Sequence, residues 1–90
     1  MVKITEIQAT PNPNAMKISI EPALAGGTKS YFNWQAAAGD PLAARLFEVD
    51  GVIGVMLLGG FITISKHRDV EWAGVLAGVR GVLAGWTTTT

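Results

Sequence analysis

Thr10-Pro11-Asn12-Pro13-Asn14-Ala15-Met16-Lys17-Ile18-Ser19-Ile20-Glu21 decides the fold, because it reads as a loop that runs directly into a strand. Pro11 and Pro13 cannot donate ladder hydrogen bonds, and the asparagines between them favour turn geometry, so residues 10–14 form the loop. Met16, Ile18 and Ile20 then alternate with Lys17, Ser19 and Glu21, the period of a half-buried strand. Upstream, Val2 to Ala9 reads as a strand whose apolar phase changes between Ile4 and Ile7, as a bulge near Thr5-Glu6 would produce. Two strands around one loop make a hairpin.

A second hairpin lies further along the chain. Val52 to Leu58 is apolar on both alternating faces, as a strand inside a sheet would be. Gly59-Gly60 supplies the positive φ of a tight turn. Phe61 to Lys66 returns with Ile62 and Ile64 on one face and Phe61, Thr63 and Ser65 on the other. Between the hairpins, Pro22 to Gly39 has no long period, although Thr28 to Phe32 can add a short edge strand. Asp40-Pro41 pairs an N-cap acceptor with a proline at the first helical position, and Leu42, Leu46 and Val49 mark one face of a short helix. Gly51 releases that helix into the next strand. Asp69 is positioned to cap a final helix in which Trp72, Val75, Leu76, Val79, Leu83 and Trp86 form an apolar stripe. The expected architecture is α+β: a two-layer sandwich in ββαββα order, with a mainly antiparallel four- to five-stranded sheet and two helices on one face.

Ninety residues, about half of them apolar, suit one domain over residues 1–90. Seven basic and seven acidic residues cancel, leaving no field of the kind that nucleic-acid and anionic-membrane binders use. The absence of cysteine excludes disulfides, thiolate catalysis and thiolate ligation within this chain. The first residues alternate and carry charge, unlike a secretory signal, so a cytoplasmic protein is expected. Val70 to Trp86 is apolar-rich but short of the roughly 20 residues that cross a bilayer.

Five blocks of this chain, in order, resemble the amino-terminal domain of the Nfu/NifU iron–sulfur scaffold proteins. They are Thr10 to Lys17, then Pro41-Leu42-Ala43 with Leu46-Phe47, Gly51-Val52 with Val55, Phe61 to Lys66, and Trp72. The resemblance implies a small α+β domain that in longer members precedes a separate domain whose Cys-x-x-Cys pair holds the cluster. A stand-alone domain of this kind, without cysteine, is expected to act as a docking or accessory factor beside cysteine-bearing scaffold or recipient proteins. No cofactor and no catalytic residue is implied.

Three surfaces are candidates for partner contact. The loop offers the amides of Asn12 and Asn14 on a proline-stiffened turn, although those groups can equally satisfy the loop's own backbone. The sheet face away from the helices carries Lys17, Ser19, Phe61, Thr63 and Ser65, with Phe61 and Thr63 as its candidate contact residues. That face either meets a partner or lies under the 22–39 segment. In the last helix Gly74, Gly78, Gly81 and Gly85 fall with Ala73, Ala77 and Ala84 on the outward side, where Gly74, Gly78 and Gly81 would admit a partner helix or a second copy of the chain.

Other groupings have simpler accounts. His67, Asp69 and Glu71 offer nitrogen and oxygen donors, but they match no established metal spacing, and capping and helix-dipole placement explain the carboxylates. Tyr31, Phe32 and Trp34 beside Lys29 imitate a stacking platform for single-stranded nucleic acid, which the zero net charge disfavours. Asp40, Glu48 and Asp50 suit capping and surface placement, and the single histidine has no recognisable nucleophile partner. A non-enzymatic protein-interaction domain is the leading expectation. The alternative is a small-ligand or metal-ion-binding domain unrelated to cluster assembly.

Overall fold

The computed structural model describes residues 2–21, 23 and 27–86. Pro22 and residues 24–26, within the unassigned 22–39 segment, lie outside that description. Strands β1 (Lys3–Ala9), β2 (Ala15–Glu21) and β3 (Lys29–Tyr31) precede helix α1 (Pro41–Phe47). Strands β4 (Val52–Leu57) and β5 (Phe61–Lys66) and helix α2 (Trp72–Ala84) follow. All neighbouring strands are antiparallel, and the spatial order is β1-β2-β5-β4-β3. The first hairpin therefore docks edge to edge with the second, and β3 supplies the expected short outer strand.

The register explains how one face becomes the core. Ile18 stands opposite Ile62, Met16 opposite Ile64, and Val55 opposite Ile64 on the other side of β5. Ile18, Ile62, Ile64, Val75 and Val79 are wholly excluded from solvent, and Leu42, Leu46, Val55 and Leu83 complete the layer between sheet and helices. At roughly 2 kcal/mol for each fully buried aliphatic side chain, this layer supplies most of the drive to fold. The same register puts Lys17 opposite Thr63 and Ser19 opposite Phe61 on the face away from the helices. The anticipated bulge sits between Ile4 and Glu6. Between the Gly59 and Gly60 pair only Gly59 has positive φ, 71°, as in a type II′ turn, so one residue rather than two carries that requirement.

Helix α1 begins as its sequence dictates. Asp40 Oδ1 accepts from the Ala43 amide at 3.2 Å, and Pro41 opens the first turn. The other carboxylate oxygen accepts from the Tyr31 hydroxyl at 2.9 Å and lies 3.7 Å from Lys29 Nζ. One buried carboxylate thus joins β3 to α1. Tyr31's phenol is held above its ordinary value near 10, first by this hydrogen bond, then by burial and by the negative charge of Asp40. A proton held more tightly in the folded state gives stability that is intact below about pH 10 and lost as pH rises through the raised value. Because Tyr31 is the only tyrosine, an ultraviolet titration of phenolate should show a midpoint above 10 that moves down in Asp40→Asn. A midpoint unchanged by that substitution would refute the coupling.

Two sequence expectations about α2 need correction. Asp69 does not cap it: the N-cap is Glu71, without a side-chain cap bond, while Asp69 is exposed and its amide donates to His67 Nδ1 at 3.2 Å. A turn centred on His67 to Val70 intervenes, with the Val70 amide donating to His67 O, and it moves the N-cap two residues past Asp69, to Glu71. Gly78 does not face outward with Gly74 and Gly81. Three residues advance a helix by about 300°, so Gly78 lies only about 60° from buried Val75. A Cβ built on Gly78 would stand 2.5 Å from Val49 Cγ1, whereas Gly74 and Gly81 have nothing within 4 Å. Glycine at 78 lets the turn after α1 approach α2. Gly74→Ala and Gly81→Ala should each stabilise the fold by up to about 1 kcal/mol through helix propensity. Gly78→Ala should forfeit that gain by displacing the stiff, β-branched Val49. Urea midpoints of the three variants check the contrast, and equal gains at all three sites would refute it.

Candidate functional site

The loop of residues 10–14 is built chiefly from its own hydrogen bonds. Thr10 Oγ1 lies 2.9 Å from Asn12 O and 3.0 Å from Ala15 O, and it accepts from the Asn12 amide. Asn12 Oδ1 accepts from the Asn14 amide at 2.9 Å, an Asx turn. Asn12 therefore spends its carbonyl on the backbone and keeps its NH₂ for solvent. Turn chemistry thus explains the side-chain oxygen of Asn12 and not that of Asn14.

Asn14 ties this loop to the other end of the chain. Its backbone oxygen accepts from the Lys66 amide at 2.8 Å, and its Oδ1 accepts from Lys66 Nζ at 3.2 Å. Lys66 is only 6% exposed, being in phase with Ile62 and Ile64 and so directed to the helix side of the sheet. Its ammonium group also lies 3.4 Å from His67 O and 5.5 Å above the Trp72 ring. The Trp72 indole N–H donates to Pro13 O at 3.0 Å. Among the described residues no carboxylate pairs with Lys66. A buried cation is held instead by two carbonyl oxygens and an aromatic face, which compensate the water it gives up.

This lock forms one wall of an open cleft of about 410 Å³ at the end of the sheet. Asn12 and Asn14 line it from the loop before β2, Ser65, Lys66, His67 and Arg68 from the end of β5, and Ile53 from β4 on the other side of β5. Ile53 owes its position to a bulge in β4: Val52 pairs with Lys66 and Gly54 with Ser65, so the residue between them is displaced from the ladder. It is 49% exposed. His67 Nδ1 accepts from the Asp69 amide and lies 3.6 Å from Asp69 Oδ2, which leaves Nε2 as the outward donor of the neutral ring. Arg68 is exposed and makes no ion pair among the described residues.

Of the residues proposed from sequence, Asn12 and Asn14 thus line this cleft, and the others lie elsewhere. Phe61 and Thr63 share the sheet face away from the helices, half-buried, with Lys17 Nζ 4.4 Å from the Phe61 ring centroid. Phe32, from the 22–39 segment, borders that face beside Gly54, Met56 and Thr63. Gly74 and Gly81 lie on the open side of α2 and Gly78 against Val49. The three surfaces are therefore separate. His67 and Asp69 meet, but among the described residues no three metal-ligating side chains come together, Glu71 included. Tyr31 and Lys29 are engaged with Asp40, so the aromatic platform reduces to exposed Phe32 and Trp34. Glu48 pairs with Arg45, and no described helix is long and apolar enough to cross a membrane.

Sequence reasoning missed Ile53, Lys66 and Arg68, and also an apolar groove between Trp34, Ala38, Ala44 and Phe47. The phase of Ile62 and Ile64 was the signal available for Lys66. No pattern in the uniformly apolar 52–58 segment distinguishes Ile53 from its neighbours.

Comparison with known proteins agrees with this architecture. A Staphylococcus aureus protein, SAV1430, has a crystal structure that matches 89% of this chain and 96% of its own, with a TM-score of 0.76 and 30% identity. A NifU-like protein from Saccharomyces cerevisiae shares the fold at a TM-score of 0.73 and 24% identity, over 92% of this chain and 74% of that one. YpgR of Bacillus subtilis is 32% identical over 80 residues, 88% of this chain and 21% of YpgR. The mitochondrial NFU1 iron-sulfur cluster scaffold homolog of Drosophila sechellia is 40% identical over 70 residues, 76% of this chain and 25% of that protein. The chain thus spans a quarter or less of the length of these curated relatives. The family model described as "Scaffold protein Nfu/NifU N terminal" matches residues 4–89. The chain belongs to the Nfu/NifU N-terminal family.

Proposed function

We propose that this chain is a non-catalytic docking or accessory domain in iron–sulfur cluster assembly or delivery, acting through protein–protein contacts. The observation that carries this reading is the cleft at the end of the sheet. There Pro13, Asn14, Lys66 and Trp72, from three of the blocks that mark the family, interlock and hold Asn12, His67 and Arg68 outward in the cleft that Ile53 also lines. An exposed aliphatic side chain in a cleft that also carries hydrogen-bond donors suits recognition of another chain. Because these 90 residues contain no cysteine, any thiolates that hold a cluster lie outside them.

The test is a backbone NMR titration of this chain with a cysteine-bearing Nfu-type scaffold protein and, separately, with a cluster-accepting apoprotein. Shifts centred on Asn12, Ile53, His67 and Arg68 are expected with one of them. If neither protein perturbs the spectrum while ferrous iron alone shifts His67 and Asp69, the docking reading fails and a metal-ion-binding domain replaces it.

A further inference from the structure

The groups around the cleft define the chemistry of what it binds. Asn12 and Asn14 each already accept a hydrogen bond within the protein through the side-chain oxygen, so the NH₂ is the group each has least engaged. His67 has committed Nδ1 and offers Nε2–H. Arg68 adds a guanidinium with no ion-pair partner among the described residues, and Lys66 adds positive potential from within the wall. Asp69 Oδ2 lies 3.6 Å from His67 Nδ1, but Asp69 is not among the residues that line the cleft. A lining that holds Lys66, His67 and Arg68 and no carboxylate favours a partner rich in carboxylates. Ile53, half-exposed in the same lining, calls for an apolar side chain to cover it.

We infer that the cleft is a docking site for an acidic segment of a partner protein, with carboxylates flanking one aliphatic or aromatic side chain. This rests on the docking reading above and names the chemistry of its partner. The apolar residue packs on Ile53, while the flanking carboxylates meet Arg68 on one side and the asparagine amides with His67 Nε2–H on the other. Neutral overall charge is compatible with such a site, since the cleft lining holds Lys66 and Arg68 and no carboxylate. A segment of the opposite charge is repelled by Arg68 and finds no carboxylate in that lining.

The probe is a dye-labelled eight-residue peptide of aspartate and glutamate around a central leucine, with a lysine-for-acid counterpart as control. Binding to the intact 90-residue chain is followed by fluorescence anisotropy and mapped by NMR. The acidic peptide should bind at least about tenfold tighter than the basic one, the equivalent of one good charge interaction. Raising salt from about 0.05 to about 0.5 M should weaken binding. Arg68→Glu should remove at least about nine-tenths of the affinity, a tenfold loss, and Ile53→Ser should also weaken it; both side chains are exposed, so folding is retained and can be checked by circular dichroism. Equal binding of the two peptides, indifference to Arg68→Glu, or shifts centred on Phe61 or on the Trp34 groove would overturn the inference. Scaffold binding at the cleft without preference for the acidic peptide would reject the acidic chemistry and leave the docking function standing. Acidic-peptide binding with no response to either cluster protein would do the reverse.

Discussion

Asp40→Ala should lower the free energy of unfolding by about 2 kcal/mol, the upper end of the range for loss of an N-cap. The high end is expected because Asp40 is buried and its two oxygens serve different elements. One caps α1 through the Ala43 amide, and the other accepts from Tyr31 and faces Lys29. Alanine therefore frays the first turn of a seven-residue helix, which has little propensity of its own to persist, and releases β3 from it. Asp40→Asn, which retains a capping oxygen but lacks the charge, should lose only about half as much, since the charge-assisted part of the hydrogen bonds is what it gives up. Chemical denaturation of both variants measures the difference. Equal losses would mean that the charge is the whole effect and that the retained capping oxygen contributes nothing, whereas no loss in Asp40→Asn would mean that capping geometry alone matters.

Asp40 also illustrates what could be read without coordinates. Asp40-Pro41 announced a helix start because cap and proline act within one turn. Met16 to Ile20 and Phe61 to Ile64 announced their strands because alternation is local and their polar partners made the phase visible. Legibility ended where that contrast vanished. Val52 to Leu58 is apolar throughout, so its sequence carries no phase, and the bulge that expels Ile53 leaves no mark on it. Gly78 resembles Gly74 and Gly81 in type; its angle about 60° from Val75 follows from helical spacing, but the approach of Val49 does not. Asp69 failed as a cap because a residue type favoured at caps is equally at home in the turn before one.

The candidate site shows the same division. Asn12 and Asn14 could be singled out because prolines and asparagines in series have few uses. What they do required knowing that Lys66, 52 residues away, turns inward beneath them. A lysine at the end of a strand is ordinarily taken as exposed, since its long side chain can reach water from most positions. Here Trp72 covers it and the loop closes over its ammonium group. The family blocks therefore share a physical reason for occurring together: loop, strand end and helix start form one interlocked unit.

That unit yields the second large prediction. Asn14→Ala should cost about 2–3 kcal/mol, because it removes a hydrogen bond to a charged donor and leaves a buried ammonium short of an acceptor. Lys66→Met should change stability by less than about 1 kcal/mol, since a flexible apolar chain of similar length fills the space beneath Trp72 and no charge need be desolvated. In the Lys66→Met background the cost of Asn14→Ala should fall below about 1 kcal/mol, because the acceptor no longer has a cation to serve. Urea unfolding of the four proteins closes this cycle. The same cost for Asn14→Ala in both backgrounds would show that Asn14 acts only within its own loop and that the buried lysine is held by His67 O and Trp72 alone. The predicted coupling would instead make the buried charge the reason the loop keeps its shape, so that the surface presented by Asn12, His67 and Arg68 depends on a residue that never touches the partner.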